Sequence, residues 1–569
     1  MENGMKKKFV QIAAVCLLSA LILALAPATA PSARAAAQEG QIIRVGLYYG
    51  SSALPGANLA NEVGAGFRFG YFDGNNQFVQ LAATRQDAIS IVKTENVYYG
   101  TLNDYTSYHD ANTGSGIVVG CYHLELPGTY SSYDSALAAA RGYEDGFVAY
   151  IDGVYYVRIG NYTNRAGAEA AQAELAAQGV TTAIRGTSSY GISAVITGTN
   201  TILFQYDDSD NSALFGVAPN AAGETGEKFE TWFKGYAKYG AFRYERINGG
   251  NLTVVNLLGL EDYVKGVVPY EMSNSWPIEA LKAQAVCART YALSNLNRHS
   301  SYHFDICSST HCQAYYGTNR AGSNSDAAVE QTAGQVATYN GRLAECVYYS
   351  SNGGASEDSS VVWRSNQDSY PYLVGVMDPY EALVADGISN YYWTREYTGS
   401  ELAQKLRALG YSCTDIVSAR VREYTDTGNP LEVTFTDSSG RSYTLTTRRV
   451  YSTFGLRSYR YDISSGGSGS GPLLVNGQGV DSLDGMYAID GNGNTVAIGN
   501  GVYVIGGDGS VTQAGFGGSG GSSGGVFTIS GAGWGHNVGM SQWGAYAQAL
   551  QGRTYRQILE FYYTGITVG

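Results

Sequence analysis

Past residue 40 the chain alternates short apolar runs with polar breaks, a rhythm that predicts strands more often than helices. Ile42 to Tyr49 reads as a strand. Gly66 to Phe72 and Phe78 to Leu81 flank Asp73-Gly74-Asn75-Asn76, which predicts a hairpin. The pattern over 115–190 is more regular. A strand at Ile117 to Tyr122 precedes an Ala-rich helix at Ser131 to Tyr143. Phe147 to Ile151 and Val154 to Ile159 then flank an Asp152-Gly153 turn, a second Ala-rich helix runs from Arg165 to Gln178, and Thr181 to Ile184 closes as a strand. That order is βαββαβ, a ferredoxin-like split. Further on, Gly266 to Met272 reads as a strand feeding a turn that carries Glu271. After Ser275-Trp276-Pro277, a plausible cap and first-turn proline, Ile278, Leu281, Ala285, Ala288 and Ala292 recur at helical spacing. The expected fold class is α+β and strand-rich.

Residues 464–525 break the rhythm. Ser464 to Gly471 and Gly517 to Gly525 are flexible linkers by composition, and Met486 to Ile489, Thr495 to Ile498 and Val502 to Ile505 between them suggest a small hairpin module. The expected organisation is a strand-rich region at 42–114, a βαββαβ domain at 115–192, and one catalytic domain at 193–463 and 526–569 interrupted by the 464–525 insertion. The N-terminus has a different pattern: Lys6, Lys7 and Lys8, an apolar run from Phe9 to Ala26, then Ala33-Arg34-Ala35. This reads as a secretory signal over 1–37; an uncleaved anchor is the alternative, and it is the one way the chain would engage a membrane. Either reading places the protein outside the cytoplasm.

The net charge of -13 excludes a nucleic-acid partner, which would need clustered Lys and Arg. With 47 Tyr and 74 Gly among 569 residues, the composition leans towards strands and turns. The seven Cys are mostly far apart and make no dense disulfide framework. His303, Cys307, His311 and Cys312 are the exception. Thiolates and imidazoles in that number suit a closed tetrahedral zinc site of structural role; a Cys307–Cys312 disulfide is the alternative.

Two resemblances sharpen the reading. Tyr155 to Tyr162, with Asn164-Arg165-Ala166 and Glu169-Ala170, resembles the SPOR domain. That resemblance implies binding of glycan strands stripped of stem peptides. Leu260 to Met272 and Glu279 to Ala292 resemble the stage II sporulation protein D (SpoIID/LytB) family, over roughly residues 235–463 and 526–569. The family's members are cell-wall lytic transglycosylases, and some are amidase enhancers. The resemblance implies Glu271 as catalytic acid and base, a His/Cys zinc site matched by Thr310 to Gln313, and a cell-wall amidase as possible partner.

Two further stretches match the family's cleft. One contains Ser350, Ser351, Asn352, Gly353 and Gly354; a plain turn is its alternative reading. The other is the closing Gly531 to Ala545 motif, with His536, Gly539, Ser541 and Gln542 as substrate-binding candidates and Trp534 and Trp543 as stacking faces. There Asn537 stands where the family has Gly, and Asn tolerates the left-handed backbone that this turn needs. Ser273 likewise replaces the usual Pro after Glu271-Met272. Tyr270, Lys282, Gln284, Arg289 and Tyr291 complete the expected substrate contacts. Glu279 is assigned to the helix dipole instead. The resulting expectation is a transglycosylase that cuts peptide-stripped glycan between N-acetylmuramic acid and N-acetylglucosamine, leaving 1,6-anhydro ends. A non-enzymatic glycan-binding amidase enhancer is the alternative.

Overall fold

A computed structural model describes residues 40–186, 188–220, 228–465 and 526–569, with six short strands between 473 and 513. The signal-like segment, residues 466–471 of the first Gly/Ser linker and the second linker lie outside the described residues, while Ser464 and Ser465 end a strand. The fold is strand-rich and mixed α/β. Among the described residues no helix is long and apolar enough to cross a membrane.

The βαββαβ unit forms as expected, with small shifts at its ends. Its strands Tyr122–Glu125, Gly146–Ile151, Val154–Tyr162 and Ala183–Arg185 pair in the spatial order fourth, first, third, second. The helices Tyr133–Ala140 and Arg165–Ala177 start on side-chain caps from Ser132 and Asn164. The first strand lies later than expected. Val118–Val119 joins a separate three-stranded sheet, and the unit's own strand starts at Tyr122.

The domain boundaries expected at 115 and 193 do not match the sheets. The edge strand Gly146–Ile151 pairs in parallel with Ile202–Asp207, so the unit continues into a ten-stranded sheet with Ile192–Ile196, Ala88–Lys93 and Gly56–Val63. A seven-stranded sheet likewise mixes Ile42–Tyr48 and Phe67–Phe72 with Leu214–Pro219, Ala241–Glu245 and Thr253–Gly259. Residues 42–114 therefore share both sheets with residues 192–259. The physical reason is edge protection: a strand left unpaired at a sheet edge exposes its backbone donors and acceptors, and these segments cover one another's edges. The facing sides of the sheets meet in one core, where Phe69, Phe204 and Phe215 stack.

A second core is helical and carries the site. The helices Leu260–Glu271 and Ile278–Ser294 pack with Ser323–Gln331 and Tyr555–Tyr562. The first of these overturns the expected strand and turn ahead of Glu271. Leu260, Tyr263, Val264, Val267 and Val268 are all buried, which is the three-four spacing of a helix. That burial overrides the β-branched and Gly-Pro character of the segment. Glu271 is the last helical residue, after an internal Pro269, and the chain turns extended at Met272. Pro277 caps the next helix in place of Ser275, whose hydroxyl meets Ser273.

Residues 392–463 build a third, smaller core around Leu402, Val433 and Phe435. Its sheet sets Tyr461–Ser465 and Val526–Ala532 side by side, with Ser465 opposite Phe527. The chain thus leaves this sheet into the 466–525 segment and re-enters on the neighbouring strand. Within that segment three two-stranded hairpins pair 473–475 with 478–480, 487–489 with 495–497, and 503–505 with 511–513.

Candidate active site and metal cluster

Glu271 ends its helix against a segment distant in sequence. Its Oε1 accepts from the Ala314 backbone N–H at 3.1 Å, and its Oε2 accepts from Gln542 Nε2 at 3.1 Å. The 313–316 segment is pinned by its own buried groups. Gln313 Nε2 donates to Tyr263 Oη at 3.1 Å and to the Ala288 carbonyl at 3.2 Å, and Gln313 Oε1 accepts from Tyr348 Oη at 2.9 Å. Tyr315 Oη donates to Asn256 Oδ1 at 2.6 Å. Behind Gln542 stands Gln284, fully buried, whose Oε1 is 3.4 Å from Gln542 Nε2. Burial raises the Glu271 pKa above its ordinary value, and the hydrogen bonds from Ala314 and Gln542 oppose only part of that rise. The carboxyl also sits at the negative end of its helix, which disfavours the ionised form further.

A cavity of about 520 Å3 opens over this carboxyl. Tyr291, Tyr348, Ser350, His536 and Gln542 line it, as do His311 and Cys312. His536 is held from both sides. Its Nδ1 accepts from the Val538 N–H at 3.2 Å, so Nε2 is the protonated nitrogen and donates to the Tyr348 carbonyl at 3.0 Å. Burial pushes its pKa down to about 4, so it is neutral and offers shape and ring faces more than proton transfer. Trp363, which the sequence reading passed over, packs its half-exposed ring 5.0 Å from His536.

The closing motif acts mainly as a clamp. Asn537 takes up the left-handed backbone at φ 60°. Its fully buried amide donates to the carbonyls of Asn352 and Ala355 at 2.8 and 3.1 Å, and its Oδ1 accepts from Tyr459 N–H at 3.1 Å. Asn here supplies three bonds that Gly would not. Gly539 at φ 75° and Gly353 at φ 74° are positions that a side chain would spoil. A Cβ would stand 2.3 Å from the Val347 carbonyl oxygen at the first and 2.4 Å from the Ala532 carbonyl oxygen at the second.

Several expected substrate contacts are structural. Asn352 and Gly353 donate their N–H groups to the buried Glu381 at 2.8–2.9 Å, Ser541 bonds the same carboxyl, and Ser351 and Asn352 are fully buried. Gly354 N–H donates to Asn352 Oδ1 at 2.7 Å within the same turn. Burial raises Glu381 to about 7. Arg289 is fully buried in an ion pair with Glu261 at 2.6 Å and also donates to the Gln335 carbonyl, so it ties helices together away from the cavity. Lys282 pairs with Glu279 at 2.7 Å, and Glu279 Oε2 accepts from Tyr555 N–H at 2.8 Å at the start of another helix. Tyr270 turns away from Glu271 into a ring cluster with Tyr316 at 5.2 Å and Tyr236 at 6.2 Å. Helical geometry explains all three: successive side chains point about 100° apart, so most neighbours of a cavity residue face elsewhere.

The His/Cys cluster that the fold assembles differs from the expected set in one residue. The ligand atoms of His299, Cys307, His311 and Cys312 all lie within 4.8 Å of one another. His303 is excluded. It takes a left-handed backbone at φ 60° after a short turn and points Nδ1 at Glu245, 2.9 Å away. Asp305 organises the loop that carries His299. It accepts from Arg44 Nη2 at 2.7 Å and from Asn297 N–H at 3.0 Å, and so holds the 297–305 loop beside the edge strand that carries Cys307. Cys307 and Cys312 are both free thiols. Sulfur and nitrogen stand 3.4 Å apart for Cys312 and His299, 3.7 Å for Cys307 and His311, and 3.6 Å for Cys312 and His311. Tetrahedral zinc, with bonds of about 2.3 Å to sulfur and 2.0 Å to nitrogen, requires a separation of about 3.5 Å, so the donor set fits.

Comparison with known proteins agrees with this anatomy. Residues 248–339 match the model of the stage II sporulation protein (SpoIID) family, and residues 128–193 match the SPOR domain. The chain carries a SpoIID domain joined to a SPOR domain. It is 32% identical over 319 residues to the amidase enhancer of Bacillus subtilis, covering 54% of this chain and 40% of that protein. It is 26% identical over 334 residues to stage II sporulation protein D of the same species, covering 56% and 76%. An uncharacterized protein of Brachyspira hyodysenteriae is 28% identical over 363 residues, covering 62% and 79%.

Two outcomes follow from the buried groups. Glu271→Gln removes a carboxyl that prefers to be protonated in the fold. The parent should therefore lose stability as pH rises through and above the ordinary carboxylate range, and the variant should not. The variant should be the more stable at neutral pH, with the gap closing as pH falls through the ordinary carboxylate range. Thermal unfolding across pH checks this, and a constant difference at every pH would contradict it. Asn537→Ala should cost about 3 kcal/mol in denaturant unfolding, because it strands two carbonyls and an N–H in the interior. A loss under about 1 kcal/mol would show that the clamp is dispensable.

Proposed function

We propose that this protein is a peptidoglycan lytic transglycosylase of the cell wall, with Glu271 as its one acid and base. The observation that carries the reading is a protonation-prone carboxyl at the base of a cavity, held by two donors from remote parts of the chain. Hydrolytic glycosidases need two carboxyl groups flanking the bond. Intramolecular transfer needs only one. Glu271, protonated, gives its proton to the glycosidic oxygen leaving C1 of N-acetylmuramic acid. The 6-hydroxyl of the same sugar then attacks C1 and returns its proton to the carboxylate, closing a 1,6-anhydro ring. Gln542 and Ala314 fix the carboxyl through both states, and neutral His536 with Trp363 shapes the sugar site. The SPOR domain is the natural holder of the glycan strand, and both domains agree with a cell-wall-related, extracytoplasmic role.

Incubation with peptide-stripped strands, followed by mass spectrometry, tests the chemistry. The parent should release anhydro-muramic ends, and Glu271→Gln should be slower by about a thousandfold. Reducing ends instead would mean hydrolysis and would turn attention to Glu345, a second carboxylate on the cavity lining. Unchanged binding with no cleavage by the parent would favour the amidase-enhancer reading, which the Bacillus subtilis relative's name supports.

We also propose that zinc occupies the His299, Cys307, His311 and Cys312 cluster in a structural role. When bound, the ion cross-links the 299–312 loop and so firms one wall of the cavity. Metal analysis should find about one zinc per chain in the parent and in His303→Ala, and a marked loss in His299→Ala and Cys312→Ser. A parent that neither carries nor takes up zinc would remove the assignment, and loss in His303→Ala with retention in His299→Ala would restore the ligand set expected from the sequence.

A further inference from the structure

The cavity over Glu271 contains one cation that is not spoken for. Arg298 lies on its lining, just past the Ile278–Ser294 helix. Its Nη1 donates to Asn295 Oδ1 at 2.6 Å and is 3.4 Å from Tyr291 Oη. Its Nε and Nη2 make no hydrogen bond among the described residues, and no carboxylate pairs with it there. Glu345, also on the lining, forms no ion pair with Arg298. The two local bonds hold Nη1, and the exposed guanidinium keeps its Nε and Nη2 edge open, the edge that takes a carboxylate through two parallel N–H bonds.

We propose that Arg298 recognises the free lactyl carboxylate of N-acetylmuramic acid and thereby selects peptide-stripped glycan. This rests on the transglycosylase reading for its substrate class. The chemistry of the strand leaves one candidate anion. The hydroxyls and N-acetyl groups of both sugars are neutral, and the lactyl ether ends in an amide wherever a stem peptide is attached. Removing the peptide converts that amide into a carboxylate. A bidentate guanidinium gains a full charge-assisted pair with the acid and at most one carbonyl contact with the amide. Tyr291, whose hydroxyl lies beside Arg298 Nη1, adds a phenol to the same lining. Glu345 repels a carboxylate from its own part of the lining, so the anion has one favourable place. Arg298 is then a specificity residue, distinct from the acid that does the chemistry.

Calorimetric binding to the full chain, silenced by Glu271→Gln, tests this without turnover. The probe is a tetrasaccharide of alternating N-acetylglucosamine and N-acetylmuramic acid, with free lactyl acids or with the same groups as methylamides. The acid should bind at least about tenfold more tightly than the amide. Arg298→Gln should bind both equally weakly, and Arg298→Lys should keep part of the preference. Zinc content of each variant is measured alongside, because Arg298 adjoins His299. If Arg298→Gln misfolds or loses metal, the acid–amide comparison on Arg298-bearing protein still decides. Equal affinity for acid and amide, or a preference that survives in well-folded Arg298→Gln, overturns the proposal. Cleavage separates the two readings. A parent that cuts acid and amide strands equally keeps the transglycosylase and loses this role for Arg298. A parent that cuts neither, yet shows an Arg298-dependent acid preference in binding, keeps the role and loses the enzyme.

Discussion

The site depends on keeping one carboxyl out of water. Glu271 is held by an N–H from a residue 43 positions later and by an amide from one 271 positions later. A carboxyl at the negative end of a helix would normally face solvent and ionise. Here the 313–316 segment and the closing motif cover it, and each is fixed by buried bonds of its own. Gln313 links the Leu260–Glu271 helix, the Ile278–Ser294 helix and Tyr348. Asn537 ties the closing motif to the 352–355 turn and to Tyr459. Few of these groups touch the cavity, yet the acid would lose its environment without them. Much of the motif is therefore support for one proton.

This division explains which parts of the site could be read from the sequence. The Ile278–Ser294 helix and the βαββαβ unit were legible because their patterns are local: apolar spacing, capping residues and a tight turn. The Leu260–Glu271 helix had its signal too, in Leu260, Tyr263, Val264, Val267 and Val268. Gly266 and Pro269 with two valines suggested strand and turn, and only burial on three sides resolved the conflict. The sequence reading took His303, four residues before Cys307, and nothing in the local spacing points to His299 instead. What separates them is a left-handed residue and a clamp between Asp305 and Arg44, 261 positions apart in sequence. Arg289 and Lys282 were drawn to the cavity by nearness to Glu271 in sequence, and helical rotation sends both away from it. The sheet sharing between residues 42–114 and 192–259 has no local signal at all, because strand pairing over such separations is decided by which edges remain open.

The sheet sharing also changes how a glycan-holding module would act. A domain on a flexible tether raises the local concentration of whatever it binds and leaves orientation free. Here the four strands of the SPOR unit run on, through the Gly146–Ile151 edge, into a sheet whose facing core is shared with the seven-stranded sheet. That second sheet ends in the short strand carrying Cys307, which borders the metal cluster and through it the cavity. A strand held by the SPOR unit would then meet the cavity at a fixed angle as well as a raised concentration. A long polymer makes such fixity useful, since its rungs are chemically alike and only position distinguishes one bond from the next. On the proposed transglycosylase reading, the His/Cys cluster and the sheet edge are parts of one ruler, and loosening the 299–312 loop should broaden the spread of product lengths, read by chromatography, before it slows cleavage.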